Sequence, residues 1–270
     1  AIISTRTRTK GKGRGIKLKK EISVVIQGPI DERTYEAVDA YQSFGEVIVS
    51  TWDDEDITLL DKADGDYQLV LSSYDEGWKE NYNNQGYRYF QCTTLNAGVR
   101  QASCKYSMKT RSDELFPNLD RMINNLEFYP QRLHTTNIGF WKPNSRHQVD
   151  ASFSTHLYIA PTDELVEAST NALSNCKRES YKNIELKCTE QLYGYFLMLA
   201  RGIDLLKCDW KEAFRNNVFI TPCSELPGHL HSGCANLQNG FTHKRRTDYP
   251  YGRLDPHPLE ELYIHHSQIV

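Results

Sequence analysis

Along the first third of the chain, short apolar runs alternate with amphipathic stretches. Residues 22–26 (Ile-Ser-Val-Val-Ile) form a largely β-branched run that stops at Gln27-Gly28-Pro29. A short apolar run ended by such a turn predicts a buried strand of a parallel sheet. Over residues 31–44, Tyr35, Val38, Tyr41 and Phe44 recur near helical spacing, and Gly45 stands where a C-terminal cap is expected. A second strand is predicted over 46–50, running into Thr51-Trp52-Asp53-Asp54. Another helix-like stretch leads to a third strand over 67–71. This β-α-β-α-β order predicts an α/β fold, doubly wound, whose mostly parallel sheet carries a site at the carboxyl ends of its strands.

The second half of residues 81–100 has helical character. A fourth strand, 106–110, passes directly into Arg111-Ser112-Asp113-Glu114. A helix is predicted over 118–127, then loop-rich sequence, then a strand over 154–160. Residues 162–173 and 189–201 have helical spacing, and beyond 220 the chain is rich in Pro, Gly and His without periodicity. With no internal repeat and no long linker, the expected organisation is a basic, flexible arm over residues 1–20 and a single domain over 21–270.

Composition changes this picture in two places. Of the 270 residues, 39% are hydrophobic and 11% aromatic, which is enough to build a packed domain. The net charge of -3 gives no global basic field, so nucleic acid is not an expected partner. The exception is residues 5–20 (TRTRTKGKGRGIKLKK), which carry many positive charges and no acid. They read as a solvated arm or as a tether to an anionic membrane surface. Seven scattered cysteines, several within apolar or helical patterns, read as buried free thiols of a reducing compartment. No stretch approaches the length of a membrane span, so the expectation is a cytoplasmic protein with peripheral membrane contact through the basic arm.

The candidate chemistry sits at strand ends. Carboxylates there can hold Mg²⁺ or Mn²⁺, which take oxygen ligands, against a diphosphate. Asp113 and Glu114 follow the strand over 106–110, and Asp53, Asp54 and Asp56 follow the second strand, where a base or ribose would be met. Solvated loop acids are the bland reading of both clusters. Lys109 and Arg111 alternate on one strand and share a face, so a nearby anion is expected to offset their charge. Asn83, Asn84, Gln85 and Arg88 gather at a helix start, suited either to sugar hydroxyls and phosphate or to capping. Glu190 opens an apolar helix, as a cap or as a general base. His156 reads as a ligand contact or an ordinary strand histidine. His229-Leu230-His231 and Cys234 match no structural zinc spacing, and His265 and His266 read as a tail.

The order of these blocks carries a resemblance. Residues 22–29, Ser50-Thr51-Trp52, residues 81–85, Thr93-Thr94 with Ala97-Gly98, and residues 105–113 resemble the WavE family of lipopolysaccharide-synthesis proteins, as do Phe153-Ser154-Thr155-His156-Leu157-Tyr158-Ile159 and Glu190-Gln191-Leu192. The resemblance implies a GT-A-like (Rossmann-like) nucleotide-diphospho-sugar transferase domain, moving a sugar from a nucleotide-sugar donor to a glycan acceptor in surface polysaccharide synthesis. It implies donor contacts at Gln27, Gly28, Pro29, Thr51, Trp52, Asp53, Asn83, Asn84, Gln85, Arg88, Lys109 and Arg111. Catalytic roles fall to Glu190, Arg111 and Asp113, with a divalent metal (Mn or Mg) at Asp113.

The sequence departs from the GT-A pattern where Arg111 occupies the first position of an Asp-x-Asp motif. A guanidinium there can neutralise diphosphate oxygens itself, which makes metal dependence an open expectation. Thr155 is a second departure, since the family block more often has Asp before the histidine. Two rival readings remain. A nucleotidyltransferase would show a Gly-rich loop with lysine after the first strand, which Gln27-Gly28-Pro29-Ile30-Asp31 lacks. A nucleotide-sugar- or glycan-binding protein without turnover would tolerate Arg111.

Overall fold

Alternate residues of the central strands enter different cores, and this two-sidedness organises the fold. In the computed structural model, which describes residues 3–8, 21–73, 84–136, 154–177, 189–222, 225–226 and 230–231, the run at 22–26 lies in strand β2 (Ile22–Gln27). Val24 and Ile26 enter one apolar cluster and Val25 the other. The same split holds in β3 (Glu46–Trp52), with Val47 and Val49 on one side and Ile48 on the other, and in β4 (Tyr67–Ser72) for Leu69 and Val70. A strand buried on both faces needs apolar residues at successive positions, which is why these runs are continuous.

The fold is α/β, with an eight-stranded mixed sheet ordered β1-β4-β3-β2-β5-β8-β7-β9. Its remaining strands are β1 (Ile3–Arg8), β5 (Tyr106–Arg111), β7 (Leu133–Thr136), β8 (Leu157–Pro161) and β9 (Val218–Thr221). β4, β3, β2 and β5 run parallel. β8 is antiparallel to both β5 and β7, β9 is parallel to β7, and β1 is antiparallel to β4 at the edge. A ribbon of β6 (Glu114–Leu115) and β10 (Leu230–His231) stands apart from this sheet.

One face is covered by α1 (Glu32–Tyr41), a 3-10 helix (Ile57–Lys62) and α3 (Asp120–Phe128), which deliver Ala37, Val38, Tyr41, Leu60, Met122 and Leu126 to the core. On the other lie α2 (Asn84–Val99), α4 (Thr162–Lys177), α5 (Thr189–Ala200) and α6 (Trp210–Asn217). Gly98 lets α2 close on the sheet, because a Cβ there would stand 2.6 Å from Val25 Cγ1 and 2.8 Å from Ser50 Cβ.

Several expectations are corrected. Residues 3–8 are not a free arm: they pair with the whole of β4, in register from Ile3↔Ser72 to Arg8↔Tyr67. Edge pairing satisfies backbone groups whatever the side-chain charge, so a basic sequence can still be a strand. α1 begins in a capping box, with Arg33 N donating to Asp31 Oδ1 at 2.8 Å and Asp31 N to Thr34 Oγ1 at 3.0 Å. It ends at Gln42 in right-handed geometry, so Gly45 is not the left-handed cap expected of it. The sheet is mostly parallel, as expected, with β8 and the edge strand β1 running antiparallel to their neighbours; the short β7, α6 and β9 have no counterpart in the sequence reading.

Candidate functional site

The chain leaves β2 for β3 and then β4 on one side, and returns to place β5 on the other side of β2. Such a reversal opens a crevice at the carboxyl ends of the two central strands, where ligands of open α/β sheets gather. Gln27 and Arg111 are cross-strand partners at that point. Ser112 N donates to Gln27 O at 3.1 Å, and Gly28 N to Ser50 O at 3.2 Å, so the ends of β2, β3 and β5 are tied together. Gly28 has φ 136.

The floor of the crevice is well held. The Gln27 amide is buried and donates to Thr94 Oγ1 on α2 at 2.9 Å, while Ser50 Oγ donates to Thr94 O at 2.6 Å. Thr34 Oγ1 at the start of α1 donates to Ser112 O at 3.1 Å, and Ile30 N donates to Glu55 Oε2 at 3.3 Å. Thr94, Thr34 and Glu55 thus support the site without having been singled out for a role. In the sequence Thr94 stands out only as part of the Thr93-Thr94 block of the family resemblance; its bond with Gln27, 67 residues away, leaves no local trace.

On the β5 side, the Arg111 guanidinium grips Asp113 through two bonds, Nε to Oδ1 at 2.7 Å and a terminal nitrogen to Oδ2 at 2.5 Å. Their side chains are 22% and 27% exposed, so the pair faces solvent from the crevice rim. Arg111 Nε is also 3.8 Å from Glu114 Oε1, and that carboxylate, fully buried, is hydrogen-bonded to His156 Nδ1. His156 is therefore a buried partner of Glu114. Lys109 shares the strand face of Arg111 but is itself buried; its ammonium donates to Thr155 O and lies 5.9 Å from the Tyr158 ring centroid.

On the β3 side, Thr51 and Trp52 are buried, and the Trp52 indole meets Phe90 edge-on at 5.4 Å. Asp53 is exposed, anchored by its N–H to Ser72 O at 3.0 Å and accepting from Ser73 Oγ. Asp56 caps the 3-10 helix, and the Thr58 hydroxyl and amide hold its carboxyl below the usual carboxylate range. Arg88, on α2, acts electrostatically on Cys92 and Cys176. Asn84 and Gln85 open α2 and Glu190 lies in the first turn of α5, but their side chains, like Asn83, fall outside the described residues, as do His229, Cys234, His265 and His266. Strand ends thus bring together Gln27, Gly28, Pro29, Arg111 and Asp113, with Thr51, Trp52 and Asp53 on the neighbouring strand.

A divalent cation at Asp113 was the expected cofactor. Both carboxylate oxygens of Asp113 are already engaged by Arg111, and Glu114 is engaged by His156. Among the described residues no group of three or more His, Cys, Asp or Glu side chains could hold a metal ion. In this arrangement Asp113 is held by the rim guanidinium, a group that itself suits an anion.

The sheet and the rim cation describe an α/β protein with a candidate site at a strand-order reversal. Residues 22–143 match the family model described as WavE lipopolysaccharide synthesis. That segment is WavE-like, similar to a family described by its part in lipopolysaccharide synthesis. It runs from β2 past β7 and so includes the ends of β2, β3 and β5; the blocks at 153–159 and 190–192 lie beyond it. No curated protein matches the sequence. Among the described residues, no helix is long and apolar enough to cross a membrane.

Proposed function

We propose that the protein is a glycosyltransferase that binds a nucleotide-sugar donor across the carboxyl ends of β3, β2 and β5 and transfers the sugar to a glycan acceptor of lipopolysaccharide. The observation that carries this reading is the meeting of Gln27-Gly28-Pro29 with Arg111-Ser112-Asp113 at the strand-order reversal. Exposed Asp53 is the proposed acceptor for ribose hydroxyls. The Arg111 fork matches paired phosphate oxygens, for which Asp113 is its competitor. A leaving diphosphate gains negative charge as the glycosidic bond breaks, and a fixed guanidinium lowers that barrier electrostatically. Glu190, at the start of α5, is the proposed base for the acceptor hydroxyl.

The test is a thermal-shift screen against UDP-, GDP-, CMP- and dTDP-sugars, followed by donor hydrolysis and transfer assays with and without Mn²⁺. A sugar nucleotide that raises Tm and is turned over supports the reading, and absence of both rejects it. The Mn²⁺ arm reports separately on Asp113 as a metal ligand. A second reading, a nucleotide-sugar-binding protein without turnover, draws on one observation: Asp113 is fully occupied by Arg111. Binding without hydrolysis or transfer, with and without metal, would favour it.

A further inference from the structure

Away from the crevice, α2 and α4 bring two free cysteines together. Cys92 and Cys176 are 84 residues apart in sequence, and their sulfurs are 3.9 Å apart. The helices are clamped beside them by Asn96 Nδ2, which donates to Ser169 Oγ at 3.0 Å and Thr170 Oγ1 at 2.9 Å, and by Arg100, which reaches Thr170 Oγ1 at 3.1 Å. The spacing of the sulfurs is therefore set by helix packing. A disulfide bond is about 2 Å long, so bonding needs an approach of about 2 Å, within reach of side-chain rotation and a small helix adjustment.

We propose that Cys92 and Cys176 are a dithiol–disulfide site that closes reversibly between α2 and α4. The two thiols have unequal environments, as an attacking and a resolving cysteine need. Cys92 is fully buried near Tyr158 and Tyr193, while Cys176 is half-buried in the last turn of α4, followed by exposed Lys177. The hydrogen bond with Cys92, aided by the Arg88 charge, holds the Cys176 thiol below its usual range against the opposing effect of burial. Burial pushes the Cys92 thiol well up.

The oxidant is a low-molecular-weight disulfide of the glutathione class. The Cys176 thiolate attacks one of its sulfurs, the reagent's S–S bond breaks, and one thiolate leaves and takes a proton. Cys92 then gives up its proton and attacks Cys176 Sγ, breaking the mixed disulfide and releasing the second small thiol. Two protein thiols are oxidised by two electrons, and one small disulfide becomes two thiols. The cross-link fastens α2 two residues before Thr94, whose hydroxyl and carbonyl hold Gln27 and Ser50. The site stands whether or not the crevice takes a nucleotide sugar.

The test equilibrates the full chain in buffers of graded oxidised and reduced glutathione, blocks remaining thiols, and maps peptides without reduction. The expected result is a Cys92–Cys176 linked peptide that disappears on adding dithiothreitol, with Tm raised on the order of 5–10 °C in the oxidised form. Cys92→Ser should stop at a mixed disulfide on Cys176, and Cys176→Ser should leave Cys92 unmodified. Cys104 and Cys208, which form no disulfide, serve as internal controls. The proposal is overturned if Cys92 and Cys176 both remain alkylatable at the most oxidising ratio. It is equally overturned if Cys176 persists as a mixed disulfide in the unsubstituted chain, or if either cysteine pairs elsewhere. Mapping the unsubstituted chain decides the matter even where a variant does not fold.

Discussion

A Cβ on Gly28 would stand 2.5 Å from Ser112 Oγ, so the ends of β2 and β5 meet where a side chain on residue 28 cannot fit without movement. The backbone there also has φ 136, which L side chains rarely adopt. Gly28→Ala therefore meets two separate costs, a steric one and a conformational one, together about 1–3 kcal/mol. Urea denaturation should show that loss. Adding Ser112→Gly should restore the steric share and leave the conformational share in place. A Gly28→Ala variant of unchanged stability would mean that the two strand ends are further apart than described.

The elements that were legible in sequence are those where one physical pattern dominates. β2, β3, β4 and β5 are continuous apolar runs with defined stops, and α1, α4 and α5 keep helical spacing. β7 and β9 are four residues each, and in β7 the buried His134, Thr135 and Thr136 remove the apolar signal. β1 alternates Thr with Arg because an edge strand needs only backbone pairing on one side. At the site, the strand-end placement of Arg111 and Asp113 is readable, but the burial of Lys109 is not, because it depends on Thr155 in the bend that precedes β8. The Glu114–His156 contact joins residues 42 apart and leaves no local trace.

Gly98 offers a test of how closely α2 lies on the sheet. Alanine is the better helix former by about 1 kcal/mol, so propensity alone predicts a gain for Gly98→Ala. Its methyl, however, would sit 2.6 Å from Val25 Cγ1, and overpacking costs about 1–3 kcal/mol. The net expectation is destabilisation in chemical denaturation, relieved in part by pairing the change with Val25→Ala. A more stable Gly98→Ala variant would show that the helix has room.

Glu114 and Asp113 are adjacent acids with opposite expectations. Glu114 is fully buried and hydrogen-bonded to His156, so Glu114→Ala strands a buried polar ring and should cost about 3 kcal/mol. Asp113 is 27% exposed, and such an ion pair contributes at most about 1 kcal/mol, so Asp113→Ala should barely move Tm. A double-mutant cycle of Glu114→Ala with His156→Ala should return a coupling of about 1–3 kcal/mol. Equal stability losses at 113 and 114 would contradict the burial difference on which this rests.

Arg111→Lys separates the two roles that the geometry allows its guanidinium. As a structural partner, Arg111 makes two bonds to Asp113 at a partly exposed rim, so losing the fork should lower stability by no more than about 1 kcal/mol. As the group that neutralises a departing diphosphate, it offers paired N–H donors that a lysine ammonium cannot reproduce. Removing one such donor typically costs about 3 kcal/mol in the transition state, roughly a hundredfold in rate. The expectation is a kcat about a hundredfold lower in Arg111→Lys, with Tm close to that of the unsubstituted protein. Asp113→Asn keeps the shape but weakens the competing carboxylate. If Asp113 serves only as the resting partner of Arg111, that variant should keep its turnover and bind donor at least as tightly; if it is a metal ligand, turnover should nearly vanish. An Arg111→Lys protein that loses stability while its folded fraction turns over normally would make the guanidinium a structural clasp and remove it from the reaction.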